Sequence, residues 1–300
     1  MTLRLIERNA SLPPSHKAHA MNIQDLVHYF DSLGSPGSVG LHKLQFDDHG
    51  AFGNYQGLRL YSVFQPLFTA DTLQPAAHEA LLRARDAANR PVTPADAFRR
   101  AVTPEAAMHF DRLCRVVHAL NFFHQSGAQG DLFLNISGRH LLSVGTGHGH
   151  TFETLLRHCG LAPTQIVLEV LESGVDDLQH LQEAVNGYRS RGFRVAIDDF
   201  GCQHSNFDRL WRLTPDIVKL DRSLIVQAST NARARRILPK IIDIIHDLGA
   251  QVVCEGIETA EQHTLARAAG ADLLQGYYYA RPSSVVGHPE AFGAPVCAVG

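Results

Sequence analysis

RVAIDDFG, residues 194–201, is an apolar run that ends in two adjacent aspartates and a glycine. Its first four residues read as a buried β-strand, and its polar end repeats in the neighbouring segments. Outward along the chain, DIVKLDRS carries Lys219, AQVVCEGIE carries Glu255 and ADLLQGYYYA carries Gln275. Upstream, QIVLEVLE carries Glu169, DLFLNIS carries Asn135, and YSVFQPLF is a further strand candidate. Longer amphipathic stretches separate these runs. Pro104–His124 and Ala232–Leu248 are the clearest, the second closed by Gly249 as a helix C-cap, with Pro239 expected to kink or divide it. This alternation predicts β/α units around a parallel sheet. In a β/α barrel the carboxyl ends of the strands share one face, so these polar residues, 20 to 36 positions apart, would converge on one pocket.

The bulk numbers suit one large domain with an extension: 300 residues, 45% hydrophobic and 19% charged. Residues 1–55 read as that extension, with an amphipathic helix candidate near Ile23–Leu33, the breaker run GSPGSVG and a strand-like LHKLQF. Residues 56–285 form the predicted β/α domain and 286–300 a tail. The early charges Arg4, Glu7 and Arg8 interrupt any signal-peptide core, and no window approaches a membrane span, so the expected location is the cytoplasm, without a membrane partner. A formal charge of −3 gives no general attraction to polyanions, so DNA is not an expected partner. Five cysteines without a CxxC pair argue against a disulfide framework and against a Cys-based zinc site.

Carboxylates gathered with one Asn repel one another unless cations neutralise them, and hard oxygen ligands select Mg²⁺ or Mn²⁺ over zinc. Two such ions, about 3.5–4 Å apart, would clamp a phosphodiester and lower the pKa of a water. Lys219 would orient that water or stabilise charge developing on phosphorus oxygens. Adjacent strand residues point to opposite faces, so Asp198 and Asp199 can serve one site only where the chain turns, and Gly201 is the expected turn.

The segment QPLFTADTLQPAAHEALLR at 65–83 resembles the opening motif of the EAL family of cyclic di-GMP phosphodiesterases, including Glu79-Ala80-Leu81. The family's order continues with LNIS at 134–137, LEVLES at 168–173, IDDFG at 197–201, VKLDRS at 218–223, CEGIET at 254–259 and LQGYYYARP at 274–282. The resemblance implies a modified TIM-type (β/α)8 barrel with one antiparallel strand, usually dimeric, hydrolysing cyclic di-GMP to linear pGpG. It implies that Glu79, Asn135, Glu169 and Asp198 hold one metal and that Asp198 and Asp199 hold the second, with Glu255 and Gln275 nearby. Lys219 takes the place of the water-orienting lysine, and Glu172 that of the glutamate anchoring the loop after the Asp pair. Gln65 and Arg83 match substrate-contacting positions. Two places depart from the pattern. The loop reads DDFGCQHSN at 198–206 where the family has DDFGTGYSS, and Leu171 stands where Thr is preferred. An alternative of the same fold is a cyclic di-GMP receptor or protein-interaction module with little or no turnover.

Overall fold

The computed structural model describes residues 27, 28, 30, 42–125, 128–143, 149–158, 161–171, 177–202 and 207–286. Eleven strands lie in chain order: β1 (His42–Asp47), β2 (Gly50–Tyr55), β3 (Leu58–Thr69), β4 (Pro75–Arg85), β5 (Pro91–Val92), β6 (Asp131–Ile136), β7 (Ile166–Leu171), β8 (Arg194–Phe200), β9 (Ile217–Leu220), β10 (Gln251–Cys254) and β11 (Leu273–Leu274). The described helices are α1 (Pro94–Arg99), α2 (Pro104–Phe123), α3 (Gly138–Ser143), α4 (His150–His158), α5 (Leu178–Arg189), α6 (Phe207–Leu213), α7 (Arg222–Thr230), α8 (Ala232–Asp247) and α9 (Ala260–Ala268).

Eight strands close a barrel in the order β3-β11-β10-β9-β8-β7-β6-β4, and pairing of β4 back to β3 completes the ring. From β4 through β11 the barrel strands run parallel, whereas β3 is antiparallel to both of its neighbours. The expected barrel with one antiparallel strand is therefore present. Closure rests on the long β3–β4 ladder, in register from Arg59 opposite Arg85 to Leu67 opposite Ala77, with an irregularity before Phe68 meets Pro75. The segment PAAHEALLRAR is rich in helix formers, yet it is an eleven-residue strand. Pairing with β3 on one edge and β6 on the other outweighs the weak propensity of its residues.

The β1–β2 hairpin continues the sheet beyond β3. Gln56 and Gly57, both at positive φ, make the two-residue turn from β2 into β3. Thus part of the N-terminal extension is sheet. Asn121 of α2 ties it down, accepting from the Ala51 N–H at 2.8 Å and donating to the Ala51 carbonyl at 2.8 Å. Of the earlier helix candidate, Val27, His28 and Phe30 are helical, and Phe30 is buried beside His109 of α2. Helix α8 runs through Pro239 without division. The strand expected through Tyr279 stops at Leu274, and the tyrosines follow in turns.

Inside the barrel, one apolar residue from each strand forms a single layer: Leu67, Ala77, Phe133, Val167, Ala196, Ile217, Val253 and Leu273. Helices begin directly after the strands because the sequence supplies caps there. Asp221 accepts from the Ser223 N–H at the start of α7, and Thr259 forms a capping box with Gln262 at α9. Gly276, next to Gln275, is fixed by close approach: a Cβ there would lie 2.1 to 2.7 Å from backbone atoms of Ile257. Gly276→Ala is expected to cost about 1–3 kcal/mol, a fall in Tm of roughly 3–10 °C in thermal unfolding. An unchanged Tm would show that this turn has room to shift.

Candidate active site

Side chains on a strand face the same way every second residue, so the layer above the apolar ring is fixed by counting. Two residues past each ring member on the parallel strands stand Glu79, Asn135, Glu169, Asp198, Lys219, Glu255 and Gln275. On the antiparallel β3 the count runs the other way, and two residues before Leu67 stands Gln65, directly opposite Glu79. These eight positions therefore form one ring at the carboxyl mouth of the barrel: six end the apolar runs of the sequence, while Gln65 and Glu79 come from the motif at 65–83.

Lys219, 1% exposed, sits at the centre of this ring. Its Nζ lies 2.6 Å from Glu255 Oε1, 3.1 Å from Asp198 Oδ1 and 3.6 Å from Glu79 Oε2, and it also contacts Glu169 Oε1. Amides fill the remaining gaps. Asn135 Nδ2 donates to Glu169 Oε2 at 3.0 Å and to Glu79 Oε1 at 3.4 Å, and Gln275 Nε2 donates to Glu79 Oε2 at 2.8 Å. Gln65 Nε2 instead donates to the Ala280 carbonyl at 3.1 Å.

Asp199 joins the group by a backbone device that the sequence reading assigned to Gly201. Asp199 itself takes φ +56° at an irregularity in the β8–β9 register between Ile197 and Phe200. This left-handed step cancels the alternation and lets both aspartates approach one site, and aspartate is among the few non-glycine residues that tolerate it. Gly201 also has positive φ and completes the turn.

Burial and mutual repulsion raise Glu169, Asp199 and Glu255. Burial, then the charge of Glu79, pushes the Glu169 carboxyl well above its usual range despite Lys219. Burial likewise raises Glu255 to about 8, with Lys219 opposing and Asp198 and Glu79 adding. Half-burial and Asp198 raise Asp199. For Lys219 burial alone would favour the neutral amine, but Asp198, Glu169, Glu255 and Glu79 hold the ammonium well above its ordinary pKa. Five carboxylates face one ammonium, so ionising them all leaves an uncompensated excess of negative charge.

That excess, and the oxygen-rich donor set, fit hard divalent cations. Carboxylate oxygens of Glu79, Glu169 and Glu255 lie within 4.8 Å of one another, and so do those of Asp198, Asp199 and Glu255. Gln275 Oε1 is buried without a hydrogen-bond partner beside them. The two triads share Glu255, whereas the motif resemblance gave the sharing role to Asp198 and left Glu255 nearby. The spacing of the strands carries no signal for that distinction, which depends on how far each side chain reaches inward. Arg83 lies four residues beyond Glu79 on the same strand face and, with Asn135, lines a separate cavity of about 520 Å³. Glu172 and residues 203–206 of the loop lie outside the described residues, while Cys202 is exposed.

A family model for the EAL domain matches residues 54–282. The chain belongs to the EAL domain family. Among curated relatives, the probable cyclic di-GMP phosphodiesterase PdeN of Escherichia coli K12 is 29% identical over 235 residues, covering 75% of this chain and 43% of PdeN. The chain spans less than half the length of the first curated relatives it matches. Among solved structures, a standalone EAL protein of Vibrio cholerae O395 in its c-di-GMP-bound form superposes with TM-score 0.66 at 26% identity, covering 77% of this chain and 94% of that one. The YkuI protein of Bacillus subtilis, in complex with c-di-GMP and calcium, gives TM-score 0.63 at 26% identity, covering 75% of this EAL chain and 56% of YkuI.

The raised acids set a pH dependence. An acid whose pKa is higher folded than unfolded keeps its proton longer in the folded state, so stability falls as pH climbs from the ordinary carboxylate range toward about 8 for Glu255. Chelator-treated protein is expected to lose thermal stability between pH 6 and pH 8.5. Added Mn²⁺ should raise Tm, with the larger gain at pH 8.5. A Mn²⁺ effect that is absent, or equal at both pH values, would contradict this account of the cluster.

Proposed function

We propose that this EAL domain is a cyclic di-GMP phosphodiesterase that releases linear pGpG, using two Mg²⁺ or Mn²⁺ ions held by Glu79, Asn135, Glu169, Asp198, Asp199 and Glu255. The observation that carries the reading is the complete ring of carboxylates, amides and one ammonium standing one layer above the apolar ring at the barrel mouth. The relatives named above, one a probable cyclic di-GMP phosphodiesterase and two holding c-di-GMP, support the substrate. A homodimer and a role for Glu172 in anchoring the loop belong to the same reading.

Hydrolysis adds water across one of the two phosphodiester bonds: an oxygen–phosphorus bond forms, the bond from phosphorus to the 3′ oxygen breaks, and that oxygen leaves with a proton. When bound, the cations supply charge neutralisation and lower the pKa of a water. The protein's own contribution is positional. Gln275 holds Glu79 by its 2.8 Å hydrogen bond, and Asn135 bridges Glu79 to Glu169. Lys219, whose ammonium reaches Glu79, Glu169, Asp198 and Glu255, would orient a water or meet charge developing on the phosphoryl oxygens. Arg83, four residues beyond Glu79 on β4, is the candidate guanidinium donor to a phosphate of the substrate. Gln65 faces the same mouth from the antiparallel strand.

A receptor without turnover would bind the dinucleotide and leave it intact. Incubation with cyclic di-GMP in Mg²⁺ and in Mn²⁺, with chromatographic separation of products, is expected to give pGpG and to stop on chelation. Binding without product would establish the receptor instead. Glu79→Ala is expected to lower turnover at least about a hundredfold with the fold retained, and an undiminished rate would remove Glu79 from the metal site. The altered loop bears on rate, since Gln203 stands where the family has a glycine. C202T/Q203G/H204Y should raise kcat, and a fall would mean that this loop is matched to its own sequence.

A further inference from the structure

Outside the barrel wall, between α2 and β4, lies the cavity of about 520 Å³ that Arg83 and Asn135 border. Ala80 and Leu82, on the face of β4 turned away from Glu79, line it from the sheet, and Phe98 of α1 with Ala107 and Cys114 of α2 lines it from the helices. Alanines stand on both sides of the space, where larger side chains would close the helix onto the strand. The volume falls within the roughly 300–1,000 Å³ of small-molecule sites.

One part of this mostly apolar wall is charged. Arg115 of α2 is 1% exposed, with Nη2 2.7 Å from Asp111 Oδ2 and 3.2 Å from His140 Nε2, and its guanidinium lies 4.7 Å from the Phe152 ring centroid. Its Nε and Nη1 have no hydrogen-bond partner. Unpaired donors on a buried guanidinium are costly, so the group calls for a further acceptor. Asp111 is already committed, since Oδ2 pairs with Arg115 and Oδ1 accepts the Ser137 N–H at 3.0 Å. Burial lowers His118 to about 4 and His140 to about 3, which leaves both rings neutral near pH 7. Arg83 has no ion pair among the described residues, and its Nη1 donates to the Leu82 carbonyl at 2.9 Å. Two guanidiniums on this cavity are therefore set against one carboxylate, leaving one positive charge unbalanced.

We propose that the cavity binds a small carboxylate with an apolar body, of which a medium-chain fatty acid is the simplest. Its head takes the free donors of Arg115, and its chain covers the wall formed by Ala80, Leu82, Phe98, Ala107 and Cys114. A polyphosphate is a poorer match, because most of this wall offers no partner for further oxygens. The site is separate from the acid ring, and its occupant would bear on that ring through Arg83, the candidate donor to a substrate phosphate.

The test is calorimetric titration of the full chain with decanoate and with decanol, each variant's Tm being recorded. The wild type is expected to bind decanoate about ten- to a hundredfold more tightly than decanol, the difference that a hydrogen bond to a charged group makes. Ala107→Leu places a side chain inside the cavity and should abolish decanoate binding at an unreduced Tm. D111N/R115M removes both charges while Asn keeps an acceptor for the Ser137 N–H, and it should level the two ligands; if Ala107→Leu does not fold, this variant decides. Decanoate binding that survives these substitutions, or a wild-type chain that binds neither ligand or both alike, would overturn the proposal. Cyclic di-GMP, titrated in Ca²⁺ as in the YkuI complex, separates the cavity from the acid ring. Decanoate should weaken its binding severalfold in the wild type and leave it unaltered in Ala107→Leu. Loss of cyclic di-GMP binding in folded Ala107→Leu without decanoate would make the cavity part of the dinucleotide site and overturn the proposal. A wild-type chain that takes no cyclic di-GMP would overturn the functional reading, and the decanoate titrations would still decide the cavity.

Discussion

One buried ammonium holds the acidic mouth of this barrel together. Lys219 contacts Glu79, Glu169, Asp198 and Glu255 from a position with almost no access to water. An ammonium there is tolerable only because the carboxylates surround it, and the carboxylates in turn need more positive charge than one lysine provides. The ring is thus built with an electrostatic deficit, which two divalent cations would satisfy. Burial, with the neighbouring carboxylates adding to it, pushes Glu169 and Glu255 toward their protonated forms.

The barrel supplies that geometry through layering. An eight-stranded interior must be filled by side chains, and here a closed apolar layer from Leu67 to Leu273 seals the bottom of the polar layer. Because both layers come from the same eight strands, each polar residue is held by a backbone whose register its neighbours fix. Two exceptions to regularity are informative. The reversed β3 places Gln65 by a count opposite to that of the other strands, and Asp199 breaks the alternation with a left-handed backbone so that two consecutive carboxylates reach one site.

Beyond the acids, the mouth is asymmetric. On the side of β4 and β6 a separate cavity lies beside Arg83 and Asn135, and toward β9–β11 the mouth meets Arg222, Glu258 and Tyr277. A dinucleotide lying across the acids would meet different chemistry at its two ends. Short connections make this possible, because the caps at Asp221 and Thr259 start helices within a few residues of the strand ends and hold the rim close to the reacting centre.

Much of this is legible in the amino-acid sequence. Short apolar runs ending in Asn135, Glu169, Asp198, Lys219, Glu255 and Gln275, separated by longer amphipathic stretches, sufficed for β/α units around a parallel sheet with one polar face, since both patterns are local properties of the chain. Glu79 was legible only through motif resemblance, because its strand is composed of residues that favour helix and is extended by pairing with β3 and β6. The sequence by itself determined which residue types stand at the strand ends, and hence the class of chemistry. Tertiary structure decided the rest: that Glu255 belongs to both acid triads, that Asp199 makes its own turn, and that Tyr277 faces the pocket while Tyr279 joins the core. Each of those outcomes depends on distances between strands far apart in the chain, and no local periodicity encodes them.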